Sequence, residues 1–312
     1  MKQNTHHSNK TFAQKQLDIY EQVTRRILRS LASGVLPWRQ TWTVKKGASG
    51  GCLNYVTGKQ YSFLNALLIG GPGQYATYDQ WGSVGAQVRK GSKGRMVLKQ
   101  GWFIPKENKE KAKELEEEGK DISHLKVRYL KTYTVFSIDD VDGLKPRGND
   151  AEAPEMVAAE NPTDIAELVI DDYKINEQVT IDENDSLEPS WDPTGDTVSI
   201  PTQEAFTYQE DWYAKLFELL VRSTVTEERC DRATELKTIR EGEVSVKEQL
   251  IEEIGSSMIL TVAGLKRKET HEQIAAECQK WVQVLNNDFR VIVQASFGAE
   301  RAAKHVLGAY AA

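Results

Sequence analysis

The charges of this 312-residue chain are divided unevenly along its length. Residues 1–150 hold 25 Lys and Arg against 14 Asp and Glu, whereas residues 151–312 hold 15 against 32. Within residues 1–105 the imbalance is 15 against only 3. A basic half joined to an acidic half indicates a polyanion-binding module fused to a module with another role. We therefore expect two domains, for which 312 residues suffice.

The expected boundary falls at residues 147–162, where Pro, Gly and acidic residues occur without apolar periodicity, as in a linker. Before it, residues 1–146 combine a helical pattern at 10–33 and short helices at FLNALLI and DQWGSVGAQV with two strand-like runs, MVLKQGWFI and VRYLKTYTVFSI. The charged insertion between those strands, within 106–126, is expected to be an exposed helix or a mobile segment. After the boundary, residues 163–312 are mainly helical. The helices are predicted at 207–222, 245–265, 270–287 and 288–308. The predicted fold class is α+β, with a mixed α/β N-terminal domain and a mainly helical C-terminal domain.

Several classes of protein are disfavoured by the composition. No apolar run approaches the ~20 residues that a membrane-spanning helix needs. The N-terminus lacks the apolar segment of a secretory signal. The cysteines, Cys52, Cys230 and Cys278, are odd in number and far apart, so they indicate neither a disulfide framework nor a metal site. These features predict a protein of the reducing cytoplasm without a membrane partner.

Aromatic and cationic residues alternate in the basic half. LPWRQTW places a cation between two tryptophans, and VRKGSKGR gathers four cations around two glycines. Cations on a glycine-containing turn suit phosphate contacts, and aromatic rings suit stacking on unpaired bases. Because a double helix hides the faces of its bases, the combination predicts single-stranded DNA as the partner. The candidate contacts are Trp38, Arg39, Trp42, Lys45, Lys46, Asn54, Tyr61, Asn65, Tyr75, Thr77, Tyr78, Gln80, Trp81, Arg89, Lys90, Lys93 and Arg95.

A single aromatic ring can also have a structural role. Tryptophan and tyrosine are often highly buried, so Trp38 or Trp81 can equally be core residues. Only the combined pattern of charge and rings favours nucleic acid.

Four segments carry a resemblance to a known family. GVLPWRQTW, NYVTGKQYSFLNALLI, QYATYDQWGSVGAQVRKGSKGRMV and YTVFSIDDVDGL occur in this order. They resemble the N-terminal domain of ArdC-type antirestriction proteins over about residues 12–146. The resemblance implies binding of single-stranded DNA, and related domains occur in plasmid primases. Ser62, Ser92, Ser137 and Asp140 depart from the family pattern without removing the basic or aromatic set.

The resemblance extends into the second half, where ArdC-type proteins carry a zincin-like metallopeptidase. DTVSIP, Phe206, WYAKLFELLVRS and EQLIEEIG follow the order of that domain. Its chemistry needs two histidines at i and i+4 of one helix, a glutamate beside the first as general base, and a downstream carboxylate ligand. Phe217 and Val221 occupy the two histidine positions, and neither side chain can ligate a metal. Glu218 remains at the position of the general base.

The position of the third ligand corresponds to Glu248 or Gln249, and the pattern leaves open which of the two. Without a metal, a carboxylate at Glu218 that faces Glu248 or Glu253 must be solvated or paired with a cation. We therefore expect a pseudo-metallopeptidase with no cofactor, no bound metal and no catalytic residue, in which Glu218 is vestigial.

The resemblance and the charges together predict a single-stranded-DNA-binding antirestriction or anti-defence protein of a phage or plasmid. Its acidic domain would be an interaction module for a host defence or DNA-processing protein in the bacterial cytoplasm. Two alternatives remain open. One is an enzyme, either a metalloprotease with an atypical site or an unrecognised nuclease, and the other is a replication or primase accessory protein.

Overall fold

The computed structural model describes residues 10–39, 51–146, 161–184 and 188–311. Three of the candidate DNA contacts, Trp42, Lys45 and Lys46, lie outside the described residues, as does most of the expected linker. Within the described ranges, none of the helices is both long and apolar enough to span a bilayer.

The N-terminal part mixes helices with short strands. In chain order it contains α1 (Phe12–Ala32), β1 (Cys52–Asn54), α2 (Phe63–Ile69), β2 (Gly73–Thr77), α3 (Tyr78–Ser83), β3 (Gln87–Val88), β4 (Arg95–Phe103), α4 (Lys109–Glu117), β5 (Val127–Ser137) and β6 (Val141–Asp142). Helix α1 begins where a capping box forms: the Thr11 hydroxyl accepts from the Gln14 amide at 3.2 Å, and the Gln14 side chain accepts from the Thr11 amide at 2.8 Å. A 3₁₀ turn, Pro37–Arg39, follows α1.

A four-stranded sheet in the order β1-β2-β5-β4 forms the centre of this part. Strand β1 runs parallel to β2, and the other neighbours are antiparallel. The longest pairing joins β4 to β5, from Arg95 opposite Val135 to Phe103 opposite Val127. A two-stranded ladder of β3 and β6 lies beside the sheet. The charged insertion at the end of the β4–β5 pair forms the exposed helix α4, anchored by a small cluster of Ala112, Ile122 and Leu125.

The C-terminal part is mainly helical. It contains α5 (Pro162–Glu177), β7 (Thr180–Glu183), β8 (Ser190–Asp192), β9 (Thr197–Ile200), α6 (Gln209–Ser223), α7 (Ala233–Arg240), α8 (Val246–Ala263), α9 (His271–Asn287) and α10 (Val291–Leu307). The strands form one small sheet in the order β7-β9-β8. Helix α8 packs against both α6 and α10, so the three form the centre of this part. The predicted two-part α+β fold is thereby confirmed.

One hydrophobic core extends across both parts. The buried stripe of α1, which includes Val23, Ile27 and Leu31, belongs to the same cluster as residues of α8, α9 and α10. The Thr24 hydroxyl donates to the Phe289 carbonyl at 2.6 Å, next to the start of α10. The first helix is therefore packed on the acidic half, although the sequence places it in the basic one.

The predicted helix over DQWGSVGAQV is wrong in its second half. Helix α3 ends at Ser83, and Gly85 adopts a left-handed φ of 78°. The amide of Ala86 then bonds back to the Trp81 carbonyl at 3.0 Å. Glycine closes helices in this way because it lacks the Cβ that penalises positive φ. The chain leaves the helix as strand β3.

Candidate functional site

The glycine-containing basic turn between β3 and β4 is exposed. Lys90 and Lys93 lie on its surface, and Gly91 adopts a left-handed φ of 90°. Arg89, whose side chain is 48% exposed, donates to Asp142 Oδ1 at 3.2 Å and to the carbonyl of Asp139. The arginine therefore connects the turn to β6 and to the residues just before it, while the two lysines face solvent.

The polar candidates of the first half bond to the protein itself. The Asn65 side chain donates to the Leu98 carbonyl at 2.9 Å and accepts from the Leu98 amide at 2.7 Å, which fixes α2 to β4. Thr77 and Gln80 form the capping box of α3. The Asn54 amide donates to Gln80 at 3.2 Å and to the Tyr61 hydroxyl at 3.1 Å. These groups stabilise the fold and have few bonding sites left for a base.

The cation Arg95 and the ring of Tyr75 also contact each other rather than solvent. Tyr75 is buried, and the Arg95 guanidinium lies 5.2 Å from the centroid of its ring. Arg95 donates to the Tyr75 hydroxyl at 3.0 Å and to the Ile69 carbonyl at 2.8 Å. The pair therefore stabilises the turn that joins α2 to β2.

The structure places two of the predicted stacking rings in the core. Trp81 is fully buried against Tyr55, with its indole N–H donating to the Phe136 carbonyl at 3.2 Å. Trp38 is 2% exposed and packs edge-on against Trp281 at 6.1 Å. A base cannot stack on a ring that other side chains already cover. Among the candidate rings within the described residues, Tyr78 is the most accessible, at 57% exposure.

The sequence reasoning missed the exposed rings of the β4–β5 pair. Trp102 and Phe103 end β4, and the half-buried Tyr129 of β5 lies opposite Gly101, beside Phe103. The sequence pattern that could have indicated them is the recurrence of rings and cations in MVLKQGWFI and VRYLKTYTVFSI. Side chains of a strand alternate between two faces, so such a pattern places rings and cations on the surface of a strand pair.

In the second half, the two positions where the sequence pattern predicts zinc-binding histidines in a zincin are filled by apolar side chains. Phe217 and Val221 lie one turn apart on α6 and are fully buried. Gly255 of α8 lies against Val221: a Cβ there would come within 2.9 Å of a Val221 methyl group. The close approach of α6 and α8 leaves packed hydrocarbon where a zincin carries its ligands.

Glu218 is held by two cations. Its carboxylate accepts from the Arg267 guanidinium at 2.6 Å and from the Lys215 ammonium. Arg267 also donates to the Ser256 hydroxyl at 3.2 Å. Burial raises the pKa of this carboxyl, but Arg267 and Lys215 outweigh burial and lower the pKa of Glu218 to about 2. Glu218 is therefore an ionised, paired carboxylate.

Glu253 of α8 shares the cation Arg267 with Glu218. Arg267 lies 3.9 Å from it, and Arg39 donates to both Glu253 and Glu269. Burial raises the pKa of Glu253, and Arg267 and Arg39 lower it below its usual range. The indole of Trp38 donates to the same carboxylate at 3.1 Å. Arg39 and Trp38, both candidate DNA contacts, are thus bound inside the acidic half.

The two proposed third-ligand positions face elsewhere. Glu248 is fully buried and accepts a hydrogen bond from Arg232 Nε at 3.0 Å. Arg232 also donates to the Val221 carbonyl. The Gln249 amide donates to the Val244 carbonyl at 3.1 Å. Glu253, not either of these residues, approaches Glu218.

These side chains do not fit a zinc ion. The ligand positions on α6 hold hydrocarbon, and the two facing carboxylates are already neutralised by guanidinium groups. Nowhere in the part of the chain that the structure describes do three or more His, Cys, Asp or Glu residues form a group that could hold a metal.

Comparison with known proteins relates both halves to one family. The sequence model for the N-terminal domain of anti-restriction factor ArdC matches residues 17–136, and that for the zincin-like metallopeptidase MPTase-PolyVal matches residues 169–298. The chain therefore carries an ArdC-type N-terminal domain followed by a zincin-like domain. The antirestriction ArdC protein of the R388 plasmid has the same fold: its metal-free crystal structure gives a TM-score of 0.63 at 28% identity and covers 94% of this chain. Its Mn(II)-bound structure gives 0.64 over 95% of the chain. Each comparison covers 98% of the R388 chain.

Similar sequences occur within larger proteins. A DNA primase TraC of Escherichia coli is 27% identical over 303 residues, which cover 92% of this ArdC-type chain but only 27% of the primase. A second E. coli TraC is 26% identical, with 20% of its length covered. The uncharacterised protein y4eC of Sinorhizobium fredii is 26% identical over 297 residues and is 90% covered. The chain thus spans about a quarter or less of the two primases.

Proposed function

We propose that this ArdC-type protein binds single-stranded DNA through its N-terminal part and acts in antirestriction for a phage or plasmid. Its zincin-like part then serves as an interaction module and not as a peptidase. The observation that carries this proposal is Arg267 on Glu218: the residue in the place of the general base is neutralised by a cation of the protein itself.

The chemistry of these residues disfavours peptidase activity. A general base must take up a proton near neutral pH, and a carboxyl with a pKa of about 2 is a weak base there. A zincin also needs a metal to activate water, and Phe217 and Val221 offer it no ligand.

DNA binding is supported by the positive charge of the first half and by the exposure of its basic turn. The first 105 residues hold a large excess of Lys and Arg, and Lys90 and Lys93 face solvent on a turn where the backbone can approach a phosphate. ArdC of plasmid R388, which shares this architecture, is named as an antirestriction protein. An antirestriction role fits a protein that binds DNA while it is single-stranded.

The acidic half suggests a protein partner. With 32 Asp and Glu against 15 Lys and Arg in residues 151–312, it offers negative charge to a DNA-binding surface of a host defence or DNA-processing protein.

The decisive experiment measures binding of the purified full chain to labelled single-stranded and duplex DNA over a salt series. We expect preference for the single strand, with log K falling at about −0.7 per phosphate neutralised. Equal affinity for duplex, or no binding at low salt, would overturn the DNA assignment. Elemental analysis and a protease assay on the same sample test the second half: one equivalent of tightly held zinc, or peptide cleavage, would overturn the pseudo-enzyme assignment.

A second candidate function is that of a replication or primase accessory protein. It is favoured by the two TraC primases, which match 92% of this chain. The two roles separate in a conjugation assay. An antirestriction protein raises plasmid transfer only into a restricting recipient, whereas a primase accessory changes primer synthesis regardless of restriction.

A further inference from the structure

Large exposed rings are concentrated at the outer end of the β4–β5 pair. Trp102 is 53% exposed and Phe103 37%, although both are large apolar residues that a fold normally buries. Neighbouring residues of a strand point to opposite faces, so each face of the strand pair presents one of these rings. An exposed aromatic cluster of this kind indicates a binding surface.

On one face, Trp102 is paired with a cation. Its register partner on β5 is Arg128, whose guanidinium carbon lies 4.7 Å from the centroid of the indole ring. This cation–π contact holds a positive charge beside a ring that remains accessible. A base that stacks there has its phosphate within reach of the arginine.

On the other face, the rings form a row. Gly101 lies opposite Tyr129, and a Cβ on Gly101 would come within 2.6 Å of the Tyr129 ring, so that ring lies directly over the glycine. The Tyr129 centroid is 5.9 Å from Phe103, which in turn is 5.3 Å from Phe12 of α1. The glycine allows Tyr129 to lie against the backbone with its ring partly exposed.

Two lysines oppose each other next to this row. Lys99 and Lys131 are register partners and both are exposed. Like charges directly opposite each other destabilise a strand pair, so this arrangement is a cost to the fold. A polyanion bound across the strands would remove the repulsion, which is the charge complementarity expected of a nucleic-acid site.

The strand pair also leads to the basic turn. Strand β4 begins at Arg95, just after Lys90 and Lys93, and its nine residues span roughly 30 Å at ~3.4 Å per residue. A single strand that contacts the turn can therefore continue along the strand pair to the rings. Helix α4, in which three lysines nearly balance four glutamates, follows beyond them.

We propose that the ribbon surface, defined as Lys99, Trp102, Phe103, Arg128, Tyr129 and Lys131, is where this protein stacks the unpaired bases of a single-stranded DNA. The inference rests on the proposed function, because it places the DNA-binding site of that function on residues that no family motif marks.

The test separates bases from phosphates. Full-length W102A and Y129A are compared with wild type on a thymidine oligonucleotide of about 20 nucleotides and on an abasic strand of equal length. We expect each substitution to weaken thymidine-strand binding by about tenfold, the effect of losing one stacked base, and to leave abasic-strand binding unchanged. Trp102→Phe, which keeps a ring, should restore most of the loss. Tyr208→Ala removes a ring that is 48% exposed in the acidic half and is the matched control.

The lysines are tested on the same two strands. K99A/K131A should weaken binding to both equally and make the salt slope shallower, because the change removes phosphate contacts. The variants are also measured on a uridine oligonucleotide, which tests binding to RNA. If a substitution weakens binding to the thymidine and uridine strands equally, the protein recognises the bases and not the sugars, as proposed.

The outcomes against the proposal are distinct. If wild type binds the thymidine strand and W102A and Y129A bind it equally well, the ribbon surface is not the site, and the DNA function stands. If wild type binds no single strand, the proposed function itself fails. Melting temperatures of all variants show whether a loss follows from unfolding.

Discussion

Arg267 supplies, beside Glu218, the positive charge that a metal ion supplies in an active zincin. Two carboxylates in a buried place repel each other unless a cation lies between them. Here Arg267 reaches Glu218 at 2.6 Å and lies 3.9 Å from Glu253, with only 15% of its own side chain exposed. In this structure a guanidinium therefore balances the two carboxylates without a metal ion.

From this we predict that restoring the histidines alone does not restore the metal. F217H/V221H should bind zinc weakly, because Arg267 still neutralises Glu218 and repels a divalent cation. Adding R267A should raise zinc affinity by at least about tenfold, whereas adding R240A, an exposed arginine of α7, should not. Zinc titration against a chromophoric chelator measures this. Tight zinc in the double variant would contradict the prediction, and melting curves show whether the new imidazole at 221 fits beside Gly255.

A second prediction concerns pH. The folded-state pKa of Glu218 is about 2, below its ordinary value of 4.5, so its ionised form stabilises the fold above about pH 4.5, and that stabilisation is lost as the pH falls towards 2. E218Q should therefore cost about 3–5 kcal/mol near neutral pH, since it leaves the buried Arg267 without its nearest carboxylate. The cost should shrink between pH 4.5 and 2. Urea unfolding of both proteins across this range measures the difference, and a cost independent of pH would show that Glu218 is not ionised.

At the level of elements, long periodic helices were predictable and short strands were not. Helix α6 was expected at 207–222 and is found at Gln209–Ser223, because its apolar spacing is local. Strands β1 and β2 have three and five residues, and β2 pairs with β5, which lies far along the chain. No local pattern marks such pairings. Helix α7 was also missed, since its eight residues bury little apolar surface.

The candidate site, like the fold, was predictable only where the evidence is local in the sequence. Residue type alone shows that positions 217 and 221 offer no ligand to a metal. Arg267, which pairs with Glu218, lies 49 positions from it in the sequence, and Arg39 lies 214 positions from Glu253. Such contacts depend on how α6, α8 and the turn at Pro37–Arg39 pack together, which no motif encodes.

Asn65 and Lys90 give a reciprocal prediction about the N-terminal part. N65A should destabilise the protein by about 2–3 kcal/mol, because it leaves the buried amide and carbonyl of Leu98 without partners. Its DNA affinity should stay at the wild-type value well below the melting temperature. K90A should do the opposite: no change in unfolding free energy, and weaker DNA binding with a shallower salt slope. Denaturant unfolding and DNA titration on both variants decide, and an N65A protein that is stable but binds poorly would return Asn65 to the DNA site.

Across the whole molecule, the charge boundary and the packing boundary do not coincide. Residues 10–39 belong to the basic half in sequence, yet α1 and the following turn pack on α8, α9 and α10. A fragment ending at residue 146 would expose the apolar stripe of α1, including Val23 and Ile27, to water. The full chain is therefore the unit in which DNA binding should be measured.

Arg39 is where the two halves are joined by charge, and it gives the last prediction. Its guanidinium bonds both Glu253 and Glu269, with 13% of the side chain exposed. R39A should lower the unfolding free energy by about 3–5 kcal/mol, as for other broken buried pairs, and leave the DNA affinity of the folded protein unchanged. R39K should recover little, because an ammonium lacks the planar fork that reaches two carboxylates. R89A, which removes an exposed arginine of the basic turn, is the control. If R39A instead keeps its stability and loses DNA affinity, Arg39 contacts DNA, as its position between two tryptophans in the sequence first indicated.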